Sequence, residues 1–267
     1  MSGRAQDAIV FCDFDATFWD HREPDRTVAD IERLDLLIKA WPGRLLFGWV
    51  TGSSVAGALD LVRGAGLDFL PDFVSGDLGT DLRFREAGAL VADRQWRHRL
   101  GTSGFTHRSV AEIVATFEAA RGIRLVPQQP EFPAFKCGYY LPPEGADAAN
   151  HLVELAAGKG VAVNLNRCNP DAGDPPGFFD VDFVPVGTGK AETVTYVLAG
   201  LDRATESFGF GDSGNDLAML HNVDFPWLVA NATEEAKRAG FPVTHRSCLG
   251  GVLDVLEGSL AREEETP

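Results

Sequence analysis

Hydrophobic positions fall along the chain in two kinds of pattern. Ala8-Ile9-Val10-Phe11-Cys12 and Leu45-Leu46-Phe47-Gly48-Trp49-Val50 are short, unbroken apolar runs. Such runs fit strands buried on both faces of a parallel sheet. Between them, residues 27–40 place Val28, Ile31, Leu34, Leu37 and Ile38 at helical spacing on one face. Thr51-Gly52-Ser53-Ser54 can cap a helix from Val55 to Gly64, and residues 72–75 suggest a third strand. This β-α-β-α-β alternation predicts a doubly wound parallel sheet, in which functional groups gather beyond the carboxyl ends of the strands.

The rhythm then changes. Residues 82–84 and 89–91 flank Glu86-Ala87-Gly88 as an antiparallel hairpin, and a helix is expected over 109–120. Further strands are expected at 123–127, 135–141, 161–165 and 179–184, with a helix at 147–159. The Pro- and Gly-rich stretch 169–177 reads as a loop. These segments predict an α+β insert. After Thr188 the alternation resumes: a helix over 190–201, a strand over 207–211, a helix at 216–220, a strand at 227–229 and a helix at 234–239. Residues 262–266 read as a frayed tail. The division expected is 1–82 and 187–267 for the α/β part and 83–186 for the insert.

Composition narrows the function classes. The net charge is 24 − 39 = −15, which repels nucleic acid and anionic membranes at long range. No 18-residue apolar run occurs, and the first residues lack a signal-peptide core. Cys12, Cys137, Cys168 and Cys248 fit no zinc spacing, so free thiols are expected. A soluble, cytoplasmic protein follows, a monomer or small homo-oligomer. Any phosphorylated ligand must be met by a local positive field.

Four polar segments stand at strand ends or helix starts. Asp13-Phe14-Asp15-Ala16-Thr17 follows the first strand. Two carboxylates so close need a cation or a proton between them, unless they serve only to make a turn. With a hard cation such as Mg²⁺, one carboxylate can attack phosphorus while the other moves protons. Thr51 ends the second strand and either holds a phosphoryl oxygen or caps a helix. Lys190 opens a helix, the unfavourable end for a cation, so an anionic neighbour such as Asp13 or phosphate is expected, unless solvent alone serves it. Asp212 and Asp216, in Gly211-Asp212-Ser213-Gly214-Asn215-Asp216, can both approach one cation site.

In this order, DFDAT at 13–17, VTGSS at 50–54, Lys190 in GTGKAE and GDSGND at 211–216 resemble the haloacid dehalogenase superfamily of phosphohydrolases. The resemblance spans nearly the whole chain. It implies a Rossmann-like core with a mobile inserted cap, of the α/β type IIB kind shared by Cof-type and sucrose-phosphate phosphatases. It further implies Asp13 as nucleophile, Asp15 as acid then base, and Thr51 and Lys190 on the phosphoryl oxygens. Mg²⁺ would lie on Asp13, the Asp15 carbonyl and Asp212, with Asp216 in support and Asn215 hydrogen bonding in the site. Segments of both parts, such as SGDLGTDL at 75–82 and NLNRCNPDAGDP at 164–175, are similar to those of phosphatases in bacterial aminosugar biosynthesis. The substrate expected is a small sugar phosphate, with Gly52, Asp77, Thr80, Lys136, Asn166, Arg167 and Asp180 as candidates to contact it. An ammonium group would pair with Asp77 or Asp180. Other hexose phosphatases and a non-catalytic phosphosugar binder remain as rival readings. Trp49 and Phe14 read as packing.

Overall fold

A computed structural model of the protein describes residues 8–168, 170, 173–201 and 205–264, the side chains of 260–264 excepted. Asn169, Asp171 and Ala172 of the expected loop, and residues 265–267, lie outside this range. The chain forms two compact units, residues 1–93 with 189–267, and residues 94–188.

The first unit is built on β1 (Ala8–Cys12), α1 (Pro24–Ala40), β2 (Leu45–Val50), α2 (Val55–Gly64) and β3 (Phe73–Gly76), followed by the hairpin β4 (Asp81–Glu86) and β5 (Ala89–Ala92). Helix α1 starts earlier than its apolar spacing suggests. Pro24 stands in its first turn, where a missing N–H costs nothing. The Ser54 hydroxyl caps α2 by accepting from Gly57 N at 3.1 Å. Thr51 is therefore not that cap.

The second unit follows as α3 (Arg94–Gly101), α4 (His107–Arg121), β6 (Val126–Pro127), β7 (Cys137–Leu141), α5 (Ala149–Ala156), β8 (Val161–Arg167) and β9 (Phe179–Pro185). The chain then completes the first unit with α6 (Lys190–Ala199), β10 (Glu206–Gly211), α7 (Leu217–Leu220), β11 (Phe225–Leu228), α8 (Glu234–Lys237) and α9 (Cys248–Glu264).

The first unit's sheet runs β11-β10-β1-β2-β3-β4-β5. Its strands are parallel from β11 to β3, and the hairpin is antiparallel. Strand β1 lies between β2 and β10, so the strand order reverses beside it. That is where an open α/β sheet leaves a crevice for ligands. Val10, Cys12, Phe47, Trp49, Phe208 and Phe210 share one buried cluster with Ile31 and Leu34 of α1 and Leu249, Val252 and Leu253 of α9. Phe14 and Phe18 meet Trp49 edge-on, each with centroids 4.9 Å apart, so Phe14 and Trp49 are packing residues.

The second unit has a four-stranded antiparallel sheet, β6-β7-β9-β8. Val110, Ile113 and Phe117 of α4 and Leu152 and Ala156 of α5 bury one face of it against Cys137, Leu141, Val161, Val181 and Phe183. Alternation along the strands sends Tyr140, Asn164, Asn166, Asp180 and Asp182 to the opposite face.

Several elements differ from the sequence reading. The hairpin expected to open the insert is hydrogen-bonded to β3, on the first unit's sheet. Helix α3 escaped because only Trp96 and Leu100 of its eight residues are buried. Helix α9 is missing from the sequence reading altogether, and it runs through residues expected as a frayed tail. Gly250, Gly251 and Gly258 dilute its propensity, while its apolar stripe against α1 holds it. The strand expected over 123–127 shortens to two residues. All four cysteines are buried and form no disulfide. No helix among the described residues is long and apolar enough to cross a membrane.

Candidate active site

Two adjacent parallel strands place the acids. β1 ends at Cys12 and delivers Asp13, whose N–H donates to Phe210 O of β10 at 2.9 Å. β10 ends at Gly211 and delivers Asp212. Gly211 is required by close approach: a Cβ there would lie 2.4 Å from the Asp216 Cβ. Asp216 Oδ2 accepts from the backbone N–H groups of Asp212 and Ser213 at 3.0 and 3.1 Å, which folds the turn back over the strand end. One carboxylate oxygen from each of Asp13, Asp212 and Asp216 lies within 4.8 Å of the others.

Lys190 enters this cluster from the start of α6. Its Nζ donates to Asp13 Oδ1 and to Asp216 Oδ1, both at 2.6 Å, and more loosely to Asn215 Oδ1 at 3.4 Å. Asp13, Asp216 and Lys190 are all at least 95% buried. Carboxylates thus occupy the place at this helix start where an anionic partner was expected. The loop before Lys190 is buttressed from β3. Asp77 and Leu78 adopt left-handed φ angles of 51° and 58°, and Thr80 Oγ1 donates to Asp77 O at 2.9 Å to close the turn. Gly79 then packs against Gly189, where a Cβ would sit 2.7 Å from the Gly189 carbonyl oxygen. Ser75 and Thr193 hydroxyls meet at 2.9 Å and tie β3 to α6. Thr80 thereby shapes the turn that supports Lys190, a use the sequence did not suggest.

Three carboxylates facing one ammonium leave negative charge in excess. Burial, then the charge of Asp216, pushes the Asp13 carboxyl well above its ordinary range, against the pull of Lys190. Burial and Asp216 likewise raise Asp212 to about 7. Burial works against the charge on Lys190, but Asp13 and Asp216 outweigh it and raise the ammonium. Two carboxyls that close need a shared proton or a cation. An oxygen-rich, under-neutralised donor set of this kind suits a hard divalent ion, with Asp13, Asp212 and Asp216 as the residues to hold it.

Asp15 belongs to a neighbouring network. His21 Nε2 lies 2.8 Å from its Oδ1, and Ser53 Oγ donates to its Oδ2 at 2.6 Å. Burial tends to raise the Asp15 carboxyl, but these two bonds, with the charges of His21 and Lys190, overcome it and hold the group below its ordinary value. Ser53 N donates to Thr51 Oγ1 at 3.0 Å, so Thr51 and Asp15 are joined through one residue. Gly52 lies within this same strand-end loop. The sequence reading missed both partners of Asp15. Ser53 lies inside the quoted VTGSS motif, whereas His21 has no periodic relation to Asp15 that could have revealed it.

The candidates at 136–180 lie in the second unit. Asp180 Oδ1 accepts from Gln128 Nε2 at 3.0 Å, and burial with the nearby Asp174 raises it to about 6. Lys136 Nζ stands 3.5 Å from Asp182 Oδ1, a loose ion pair beyond good hydrogen-bond range. Asn166 shares the face of Asp180, and the Arg167 guanidinium lies 5.3 Å over the Phe179 ring.

Comparisons with known proteins agree with this geometry. Residues 6–257 match the sucrose-6F-phosphate phosphohydrolase family. The chain is 38% identical to kanosamine-6-phosphate phosphatase of Bacillus subtilis, over 93% of this chain and 91% of that one. A haloacid dehalogenase-like hydrolase structure from Bacillus subtilis superposes with a TM-score of 0.72 at 34% identity, covering 95% of this chain and 92% of the other. The Synechocystis sucrose-phosphatase shares the fold, with a TM-score of 0.69 at 22% identity over 95% and 98%. The motifs, the strand-end cluster and these matches together place the chain in the sucrose-6F-phosphate phosphohydrolase family of haloacid dehalogenase-like enzymes, as a phosphoric monoester hydrolase.

Proposed function

We propose that the protein removes phosphate from a sugar phosphate through an aspartyl-phosphate on Asp13, and that its substrate is kanosamine 6-phosphate (3-amino-3-deoxyglucose 6-phosphate). The observation that carries the chemistry is the buried contact of Lys190 with Asp13, beside Asp212 and Asp216. A binding protein has no need to hold a carboxylate under a buried ammonium at a strand end.

The steps follow from the residues. Lys190 turns one oxygen of Asp13 and leaves the other to attack phosphorus. As the Asp13–phosphorus bond forms, the phosphorus–sugar oxygen bond breaks, and the leaving alkoxide takes a proton from Asp15, which must enter this step protonated although its contacts in the free site favour the carboxylate. Asp15 then takes a proton from water, the water oxygen bonds to phosphorus, and the acyl-phosphate bond breaks to restore Asp13. Lys190 and Thr51 steady the phosphoryl oxygens meanwhile. Mg²⁺ held by Asp13, Asp212 and Asp216 would neutralise phosphoryl charge, the main requirement of phosphoryl transfer.

The amino sugar is favoured by the 38% identical relative named for it and by the acidic face of the second unit. Asp174, Asp180 and Asp182 gather there with Lys136 as the cation acting on Asp180 and Asp182. An ammonium would relieve that excess. The test is phosphate release from a panel containing kanosamine 6-phosphate, glucose 6-phosphate and sucrose 6-phosphate, with and without Mg²⁺. The expected result is Mg²⁺-dependent turnover with the highest kcat/KM on kanosamine 6-phosphate. A preference for sucrose 6-phosphate would replace the substrate assignment, and full activity in excess chelator would remove the metal from it.

A further inference from the structure

We propose that His21, acting with Ser53, is a positioning residue that aims the Asp15 carboxyl at the leaving oxygen. This rests on the reading of Asp15 as the acid. An aspartate side chain ends in a nearly free torsion, so a lone carboxyl samples many directions. Here the two oxygens are held from different sides, Oδ1 by His21 at 2.8 Å and Oδ2 by Ser53 at 2.6 Å. Ser53 donates to one oxygen and the His21 ring nitrogen, donor or acceptor according to its tautomer, meets the other, so contacts on both oxygens fix the plane of the group as well as its place.

The loop that carries His21 is pinned on both sides of the ring. Ala16 takes a left-handed φ of 60°, and its N–H donates to Trp19 O at 2.9 Å, closing a tight loop. The Ala16 carbonyl accepts from Asn231 Nδ2 at 2.7 Å and from Cys248 Sγ at 3.2 Å. Asn231 Oδ1 in turn accepts from Cys248 N, so two distant segments clamp one carbonyl. Trp19 lies parallel to Phe14 in the core. Asp20, just before His21, accepts at Oδ1 from the N–H of Arg22 just after it, and Asp20 N donates to Thr27 Oγ1 at the start of α1. The backbone on either side of the ring is therefore fixed by bonds that do not involve Asp15. On the other flank, Ser53 N bonds Thr51 Oγ1, so the acid is referenced to the same strand end as the phosphoryl-holding threonine.

His21 is not a buried structural group. Its side chain is 23% exposed and Asp15 34%. Water can solvate what a substitution leaves behind, so the fold does not depend on the contact.

The leaving group separates positioning from structure. A sugar alkoxide needs a proton to depart, whereas p-nitrophenolate does not. The experiment measures kcat/KM, which reports the steps up to aspartyl-phosphate formation, on glucose 6-phosphate and on p-nitrophenyl phosphate for wild type, His21→Leu, His21→Gln and Asp15→Asn. A small misplacement of a catalytic group costs up to about 100-fold, so His21→Leu is expected to lose roughly 10- to 100-fold on the sugar phosphate and less than about threefold on the aryl phosphate. His21→Gln, which keeps an amide nitrogen near the Nε2 position, is expected to recover most of the loss, with melting temperatures unchanged throughout. Equal losses on both substrates, or no loss on either, would overturn the proposal. If Asp15→Asn discriminates between the substrates while His21→Leu does not, only the role of His21 falls. If Asp15→Asn does not discriminate, the acid assignment falls and this proposal with it.

Discussion

Among the described residues, a group of carboxylates lies beside a lysine in each unit, and the two groups are built for different ends. In the first unit Asp13, Asp212 and Asp216 meet Lys190 through two bonds of 2.6 Å, with both partners of each bond deeply buried. In the second unit Asp174, Asp180 and Asp182 have Lys136 only loosely, at 3.5 Å from Asp182. The first group sits at the ends of two neighbouring parallel strands and in the turn after β10, where the Asp13 N–H bonds Phe210 O and backbone N–H groups hold the Asp216 carboxylate. The second lies on the sheet face opposite α4 and α5, and Asp174 stands in the loop before β9. Tight pairing in a rigid frame suits a nucleophile and a metal site. Looser charge on a sheet face suits recognition, where a ligand's own cation completes the balance.

The sharpest contrast comes from removing single charges. Asp13→Asn is expected to lower kcat by at least about 10⁴-fold, the scale of a lost nucleophile, read by phosphate release. Survival of activity would move the chemistry elsewhere. Lys190→Met leaves buried carboxylates unbalanced and is expected to destabilise the metal-free protein by about 3–5 kcal/mol, read from urea denaturation. Lys136→Met, which unbalances the buried Asp182 through a longer contact, is expected to cost less in the same measurement.

Asp180→Asn tests the recognition role. One charged hydrogen bond to a ligand is worth about a tenfold change in affinity, so KM for kanosamine 6-phosphate is expected to rise about tenfold, with glucose 6-phosphate little changed. Equal effects on both sugars would make Asp180 a structural residue. The smallest effect is in pH dependence. Asp180 is raised to about 6 by burial and Asp174, above the ordinary aspartate value of 3.8. As pH rises from about 4 to about 7, the unfolded chain releases this proton first, so the folded state loses stability over that window. Relative to wild type, Asp180→Asn is therefore expected to melt at a similar temperature near pH 4 and at a higher one at pH 7.5.

Much of the first unit was legible because its strands are short apolar runs with carboxylates directly after them. β1, β2 and α2 have the bounds their residues suggested. Asp13, Asp212, Asp216 and Lys190 could be picked out since each stands at a strand end or helix start, and the four were expected to share one site. The second unit was less clear. Its strands carry polar residues on one face and its helix α3 buries only two side chains, so local pattern is weak there. The hairpin of 82–84 and 89–91 reads as part of the insert, yet it pairs with β3, because a hairpin's sequence signals its turn and not the strand it pairs with.

The alternation of strands and helices, the acidic balance and the order of the chemistry-bearing segments are legible in the chain alone, since these depend on composition and on near neighbours. That Asp216 shares Lys190 with Asp13, that Gly79 supports the loop before Lys190, and that His21 and Ser53 grip Asp15 came from the folded arrangement. Those contacts join residues by direction and distance in space. Nothing in hydrophobic period or residue spacing encodes which donor reaches which oxygen.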